Sequence, residues 1–244
     1  MMTIGLFGLV IGSFLNAVIH RLPRKIPIRT GRSRCTDCGM QLRWYHNIPL
    51  VSYIALRGRC GFCGQRISLR YPVVESTNAV LYLFFFWQFG LSFNLLVFAF
   101  LTSALLVIFF IDLDFQIIPD AITIPGMILG LAVSLLPTGI GIVQSLIGLV
   151  AGGGSLYLLA IMGDWLFKKE SMGGGDIKMA AMLGAFLGWQ KVLLVFMTAA
   201  GVGVVISLLL MLVSSRLRQE RVVPFGPFLS VATMVTIIYG DQII

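Results

Sequence analysis

Four cysteines and a handful of aspartates are the residues in this 244-residue chain whose types and spacing could do chemistry. The cysteines form two hooks, Cys35-Thr-Asp-Cys38-Gly and Cys60-Gly-Phe-Cys63-Gly, with twenty-one residues between them. A glycine just after the second cysteine of each hook lets backbone amides approach both sulfurs. Two such turns supply a tetrahedral four-thiolate site of the kind that holds zinc. No fifth ligand is evident, so the predicted site is closed and structural. Two disulfides are the rival reading, disfavoured on a reducing cytosolic face. A redox CxxC normally sits in a thioredoxin-like sequence, which is absent here. His20 and His46 are the only histidines, and lone histidines are more often ordinary polar or interfacial residues.

Ten acids are present, and five of them, Asp112, Asp114, Asp120, Asp164 and Asp176, fall at or near the ends of apolar runs. Asp120 and Asp164 read as readily as helix caps or solvated loop residues as they do as functional groups. Asp112 and Asp176 differ from these. Asp112 closes a long apolar stretch, and Asp176 follows Gly173-Gly-Gly175 and opens another. Glycines before a carboxylate leave the backbone bare, so an extended substrate strand could lie against it. Two carboxylates facing one water-accessible pocket cannot both ionise cheaply and so share a proton, the arrangement of an aspartic protease.

The elements that must position these groups are membrane helices. Hydrophobic residues make up 58% of the chain and charged residues 11%, with a mean hydropathy of +0.95. A soluble domain carries roughly 25% charged residues, so a soluble fold is excluded. The predicted class is all-α and polytopic, with about eight transmembrane helices. They are read at about 3–19, 73–89, 95–111, 121–136, 142–162, 176–187, 192–213 and 228–239. The first lacks a charged n-region, no small-residue cleavage site separates it from the basic segment that follows, and it is expected to be retained as a span. Its Ser13 and Asn16 share one helical face, which should meet protein and not lipid.

Residues 21–70 carry eleven of the eighteen Lys and Arg against one acid, Asp37, for a local charge of +10. Alternation through eight spans places seventeen of the eighteen cations on one side, leaving Lys191 on the other. By the positive-inside rule that side is the cytosol. The predicted organisation is a first transmembrane helix over 1–20, a cytosolic basic zinc-binding module over 21–72 with little apolar core of its own, and a seven-helix peptidase domain over 73–244. Metal would supply much of the module's folding energy. A basic segment also suits a nucleic-acid binder, yet beside a span the positive-inside rule accounts for it, and no nucleic-acid partner is expected.

These residues resemble the bacterial type IV prepilin leader peptidases, also called prepilin peptidase/N-methyltransferases. The likeness rests on Gly12-Ser-Phe-Leu-Asn16 with Arg21-Leu-Pro23, Ser33-Arg-Cys35, Trp44 through Pro49, Arg57-Gly-Arg-Cys60 and Arg70 through Glu75. It continues through Ile111-Asp112 to Asp120, Gly173-Gly-Gly-Asp176-Ile-Lys178 and Pro224-Phe-Gly-Pro-Phe228. Gly173-x-Gly175-Asp176 resembles the GxGD signature of intramembrane aspartyl proteases. The resemblance implies Asp112 and Asp176 as the catalytic pair, supported by Gly173, Gly175, Asp114 and Asp120. It further implies an inner-membrane enzyme that removes the basic leader of type IV prepilins or type II secretion pseudopilins after a glycine at the cytosolic face. The new N-terminus is then methylated from S-adenosylmethionine. No glycine-rich methyltransferase signature is present; Glu75 is the candidate for holding the pilin amine or the cofactor. A transporter using carboxylates as an ion or proton relay is the alternative, disfavoured because the acids cluster at span ends. A cysteine-free preflagellin-type peptidase is disfavoured by the two hooks.

Overall fold

A computed structural model describes residues 1–28, 33–168, 172–213 and 224–243. Of the cations counted above, Arg29, Arg32, Lys169, Arg216, Arg218 and Arg221 lie outside them. The described residues are helical, with no strand and two isolated β-bridges. Helices occupy all eight stretches read as spans: α1 (Met2–Arg21), α3 (Arg70–Phe89), α4 (Phe93–Phe115), α5 (Asp120–Ser134), α6 (Ile142–Phe167), α7 (Gly174–Leu187), α8 (Trp189–Val213) and α9 (Gly226–Ile243). A short α2 (Val51–Ala55) lies between the first two. Four stretches are long and apolar enough to cross a membrane: Met2–Arg21, Phe93–Phe115, Ile142–Leu166 and Trp189–Ile206. Asp120–Ser134 and Gly226–Gly240 are shorter apolar helices.

The chain forms two compact units, Met1–Val107 and Ile108–Ile244, with α4 contributing to both. In the first, α1 packs along α3 through glycines. A Cβ on Gly8 would lie 2.7 Å from Ala79 Cα, and one on Gly12 2.7 Å from Glu75 Cα. Such close approach brings backbones together where apolar side chains gain nothing from leaving lipid. Buried polar groups then pair between helices: Asn78 donates to the Gly8 carbonyl at 2.8 Å, Ser103 donates to Asn78 Oδ1 at 2.8 Å, and Tyr82 shares a hydrogen bond with Ser103 at 3.0 Å. Asn16 is buried and donates to the Tyr71 carbonyl at 3.1 Å, so the polar face of α1 meets protein. Phe85 and Phe98 stack at 5.6 Å, closing the α3–α4 hairpin.

In the second unit α7 is the central element. Residues 179–185 and 187 are all buried, because α7 is built of small and flexible residues that α5 and α6 can approach closely. Gly148 of α6 faces the backbone of Gly184, Gly152 faces the Ala180 carbonyl, and Gly130 of α5 faces Ala185. Ser145 donates to the Ala185 carbonyl at 2.6 Å, satisfying a hydroxyl buried in the same contact. At fourteen residues and about 1.5 Å of rise per residue, α7 is about 21 Å long against a hydrocarbon core of about 30 Å.

Candidate active site and metal centre

The end of α7 that carries chemistry is its N-terminus. Gly173 is the N-cap, in extended conformation, and Asp176 is the third helical residue. The Asp176 N–H donates to the Gly173 carbonyl at 3.1 Å, and its carboxylate accepts the Gly173 N–H. This is the half of a capping box in which the N3 side chain reaches back to the N-cap N–H, with Asp in place of Glu. It engages one side of the carboxylate and leaves Asp176 Oδ1 buried without a partner, the atom free to meet a ligand.

Asp112 lies in the last turn of α4 and is 4% exposed. Its Oδ2 accepts the Gly226 N–H, the first of the unsatisfied donors at the start of α9, at 3.0 Å. Helix N-termini attract negative charge, and here two of them, α7 and α9, each receive one aspartate. The carboxylates interact electrostatically, and one side chain stands against both helix starts. A Cβ on Gly175 would lie 2.8 Å from Ile118 Cβ, and one on Gly226 would lie 3.3 Å from Ile118 Cδ1. Residues sixty-four positions apart in sequence are thus brought to one place. Asp114, two residues on and about half a turn round α4, is exposed, and Asp120, also exposed, pairs with Lys178, whose Nζ donates to both carboxylate oxygens at 2.8 and 2.7 Å. Asp164 lies on the exposed surface of α6. Gly226, Ile118 and Lys178 were given no role from sequence. The glycine between two prolines, Pro224-Phe-Gly-Pro, was the one local sign that a backbone must come unusually close to something.

The cysteine hooks are two small hairpins with the same bonding. Cys35 N–H donates to the Met40 carbonyl at 3.0 Å and Gly39 N–H to the Cys35 carbonyl at 3.0 Å; in the second hook Cys60 bonds Gln65 at 2.8 Å and Gly64 bonds Cys60 at 2.9 Å. Gly39 and Gly64 hold φ of 68° and 72°, a conformation costly for any side chain, which is why a glycine closes each hook. All four thiols are free, and their sulfurs lie within 4.8 Å of one another, with Cys35 and Cys63 at 4.0 Å. Zn–S bonds of about 2.3 Å in a tetrahedron need sulfurs about 3.8 Å apart, so the donor set fits a zinc-sized ion. N–H groups of Cys63 and Phe62 hold the Cys60 thiol down to about 7. His46 stands edge-on to Phe62 at 5.3 Å and is not one of the clustered ligands.

Glu75 is 7% exposed. Its Oε2 accepts the Leu50 N–H at 2.9 Å and its carboxylate takes a hydrogen bond from Ser13. Leu50 is the N-cap of α2 and holds φ 58°, so the carboxylate fixes a strained turn of the cysteine module to α1 and α3.

Comparison with known proteins follows this geometry. The sequence model described as the bacterial peptidase A24 N-terminal domain matches residues 6–89, and that of the type IV leader peptidase family matches residues 99–208. The chain is 38% identical to a prepilin leader peptidase/N-methyltransferase of Pseudomonas putida, over 97% of this chain and 89% of the relative. It is 37% identical to one of Pseudomonas aeruginosa over 98% and 90%. For one of Myxococcus xanthus the identity is 42%, over 86% of this chain and 62% of the relative. No solved structure matches.

Proposed function

The chain belongs to the type IV leader peptidase family, a family of proteases, and from that premise we propose that it is a membrane-embedded aspartyl endopeptidase of type IV prepilins or type II secretion pseudopilins. The observation that carries this reading is that Asp112, held at the start of α9, and Asp176, in the first turn of α7, interact, with Ile118 packed against both helix starts. The ionised carboxylate of the pair takes a proton from water, and the resulting hydroxide adds to the scissile carbonyl carbon. The protonated carboxyl gives its proton to the carbonyl oxygen. Collapse of the tetrahedral intermediate breaks the C–N bond, and the departing amine takes up the proton first removed from water. Asp176 Oδ1, buried and without a protein partner, suits the lytic water or the carbonyl. Gly173, exposed at the cap of α7, leaves room for an extended strand, with Gly175, packed by Ile118, and Asp114 and Asp120 in support.

Cleavage falls after a glycine, between a basic leader held in the cytosol and an apolar helix held in the bilayer of the inner membrane. Asp176, in the first turn of α7, suits a bond at that boundary. The working division is a helix over 1–20, a zinc-bearing module over 21–72 and a peptidase domain over 73–244. Cys35, Cys38, Cys60 and Cys63 would hold zinc, which cross-links the two hooks and performs no step of the cleavage. Transfer of a methyl group from S-adenosylmethionine to the new amine is the second activity, in line with the relatives' names. Glu75, the acid considered for that cofactor, has its carboxylate engaged by Leu50 and Ser13, so no residue set is assigned to it. Lipids of the surrounding bilayer, anionic ones at the basic module, are the other partner.

Mass spectrometry of a co-expressed prepilin tests both activities. Loss of the leader and gain of one methyl are separate mass changes, and an unprocessed prepilin in the presence of inserted enzyme overturns the reading.

A further inference from the structure

The connection between α4 and α5 carries more structure than a loop of its length requires. Gln116, the first residue after α4, holds φ 54°, a left-handed conformation that a non-glycine residue adopts at a cost. The chain therefore turns sharply, and Ile118 is delivered between the start of α7 at Gly175 and the start of α9 at Gly226. Two residues on, Asp120 is gripped by Lys178 with both carboxylate oxygens bonded. Gly175 and Lys178 flank Asp176 on α7. The connection is thus fixed to α7 on either side of that carboxylate, and its other end is α4, which carries Asp112.

We propose that Ile118 is a spacer and the Asp120–Lys178 pair its clasp, and that together they set the separation of Asp112 from Asp176. All three are positioning residues, and the proposal rests on the reading that the two aspartates are the catalytic pair. Lys178 and Asp120 are 43% and 53% exposed, and ion pairs so open to solvent add little to global stability. Breaking this one therefore leaves the fold in place and frees the connection. The consequence falls on rate, because misplacing reacting groups by about 1 Å can cost about 100-fold. Ile118 acts by its bulk. Its Cβ meets Gly175 and its Cδ1 faces Gly226, so valine and alanine both keep the first contact and lose the second, alanine leaving the larger gap at the start of α9.

The test uses the full-length enzyme in proteoliposomes with a prepilin substrate, reading kcat, KM and the pH profile of cleavage. Lys178→Met and Ile118→Ala are each expected to lower kcat about 10- to 100-fold with KM within about twofold. They should also shift the limbs of the pH profile, since those report the coupled pair. Lys178→Arg, which keeps the bidentate grip, should stay within about threefold of wild type. The exchanged pair Asp120→Lys with Lys178→Asp should recover at least about tenfold over either single change. A Lys178→Met enzyme with wild-type kcat and pH profile, or an exchanged pair no better than the single variants, overturns the proposal. Asp112→Asn and Asp176→Asn run alongside. Cleavage by either one sinks the dyad itself, while two inactive dyad variants beside a normal Lys178→Met enzyme sink only the clasp.

Discussion

Gly226 and Asp112, one hundred and fourteen residues apart, meet so closely that the Gly226 N–H bonds Asp112 Oδ2 at 3.0 Å and a Cβ on Gly226 would stand 2.6 Å from the same oxygen. Only glycine allows both. Gly226→Ala must push the carboxylate aside or withdraw the start of α9, and either displaces Asp112. Cleavage is expected to fall about 100-fold with membrane insertion unchanged, measured as prepilin turnover per inserted enzyme. Turnover equal to wild type would separate Gly226 from the site.

Asp112→Asn and Asp176→Asn should each abolish leader cleavage while the protein still inserts, because an amide can neither accept the proton from water nor return it. Asp164, exposed on α6, provides the contrast: Asp164→Asn should be close to neutral. Immunoblots of processed and unprocessed prepilin distinguish these outcomes.

The cysteine module should carry one zinc per chain. Thiolates bind metal and thiols do not, so loading rises with pH and is lost on acidification as sulfurs take up protons. Cys60, held at about 7 even without a cation, is poised to be metallated at neutral pH. Elemental analysis across a pH series, with Cys60→Ser for comparison, checks this. Serine substitution is expected to make residues 21–72 protease-sensitive and to harm methylation or folding more than peptide cleavage, since neither aspartate lies in that segment. No stoichiometric metal at neutral pH would count against the site.

The contact of α6 with α7 should tolerate nothing larger than glycine at Gly148 or Gly184, where the two backbones face each other. Overpacking a tight core costs about 1–3 kcal/mol, and here the rigid backbone cannot yield as a side chain would. Gly184→Ala should lower the thermal midpoint in detergent, whereas Gly154→Ala, in open space on α6, should not.

The basic module is expected to rest on anionic lipid and not to recruit the leader. Prepilin leaders are themselves basic in the resembled family, and like charges within about 8 Å repel. Trp44, 79% exposed beside Arg43, and Val51 and Ile54, exposed on α2, form an aromatic and apolar edge suited to a bilayer interface. Changing Arg34, together with Arg29 and Arg32 outside the described residues, to Gln should weaken dependence on anionic-lipid content in liposomes and tighten binding of a basic leader. Weaker leader binding in neutral detergent would show that the module does recruit it.

Much of this protein was legible in its sequence, for reasons that are local or compositional. A chain with so few charges must be solvated by lipid, and apolar runs punctuated by glycine, proline and charge mark helices wherever the fold later takes them. The hooks were equally plain, since a CxxCG turn fixes its own two sulfurs through short-range bonds and needs only a second copy to complete a tetrahedron. Asp112 and Asp176 stood out by their flanks and by likeness to a family. Their convergence is different in kind. Sequence could put both on the same side of the membrane, one at the C-terminal end of its helix and the other at the N-terminal end, but a shared membrane face is wide. Bringing one carboxylate to α9 and the other to the cap of α7 required α7 to be buried among α5, α6, α8 and α9, with Ile118 set between two helix starts. No local pattern encodes that, because each contact depends on a backbone approach between residues far apart in the chain. The same holds for Glu75, which sequence offered only as a candidate for holding the pilin amine or the cofactor. Tertiary packing of α1 against α3 closed water away from it and gave it the Leu50 N–H to hold.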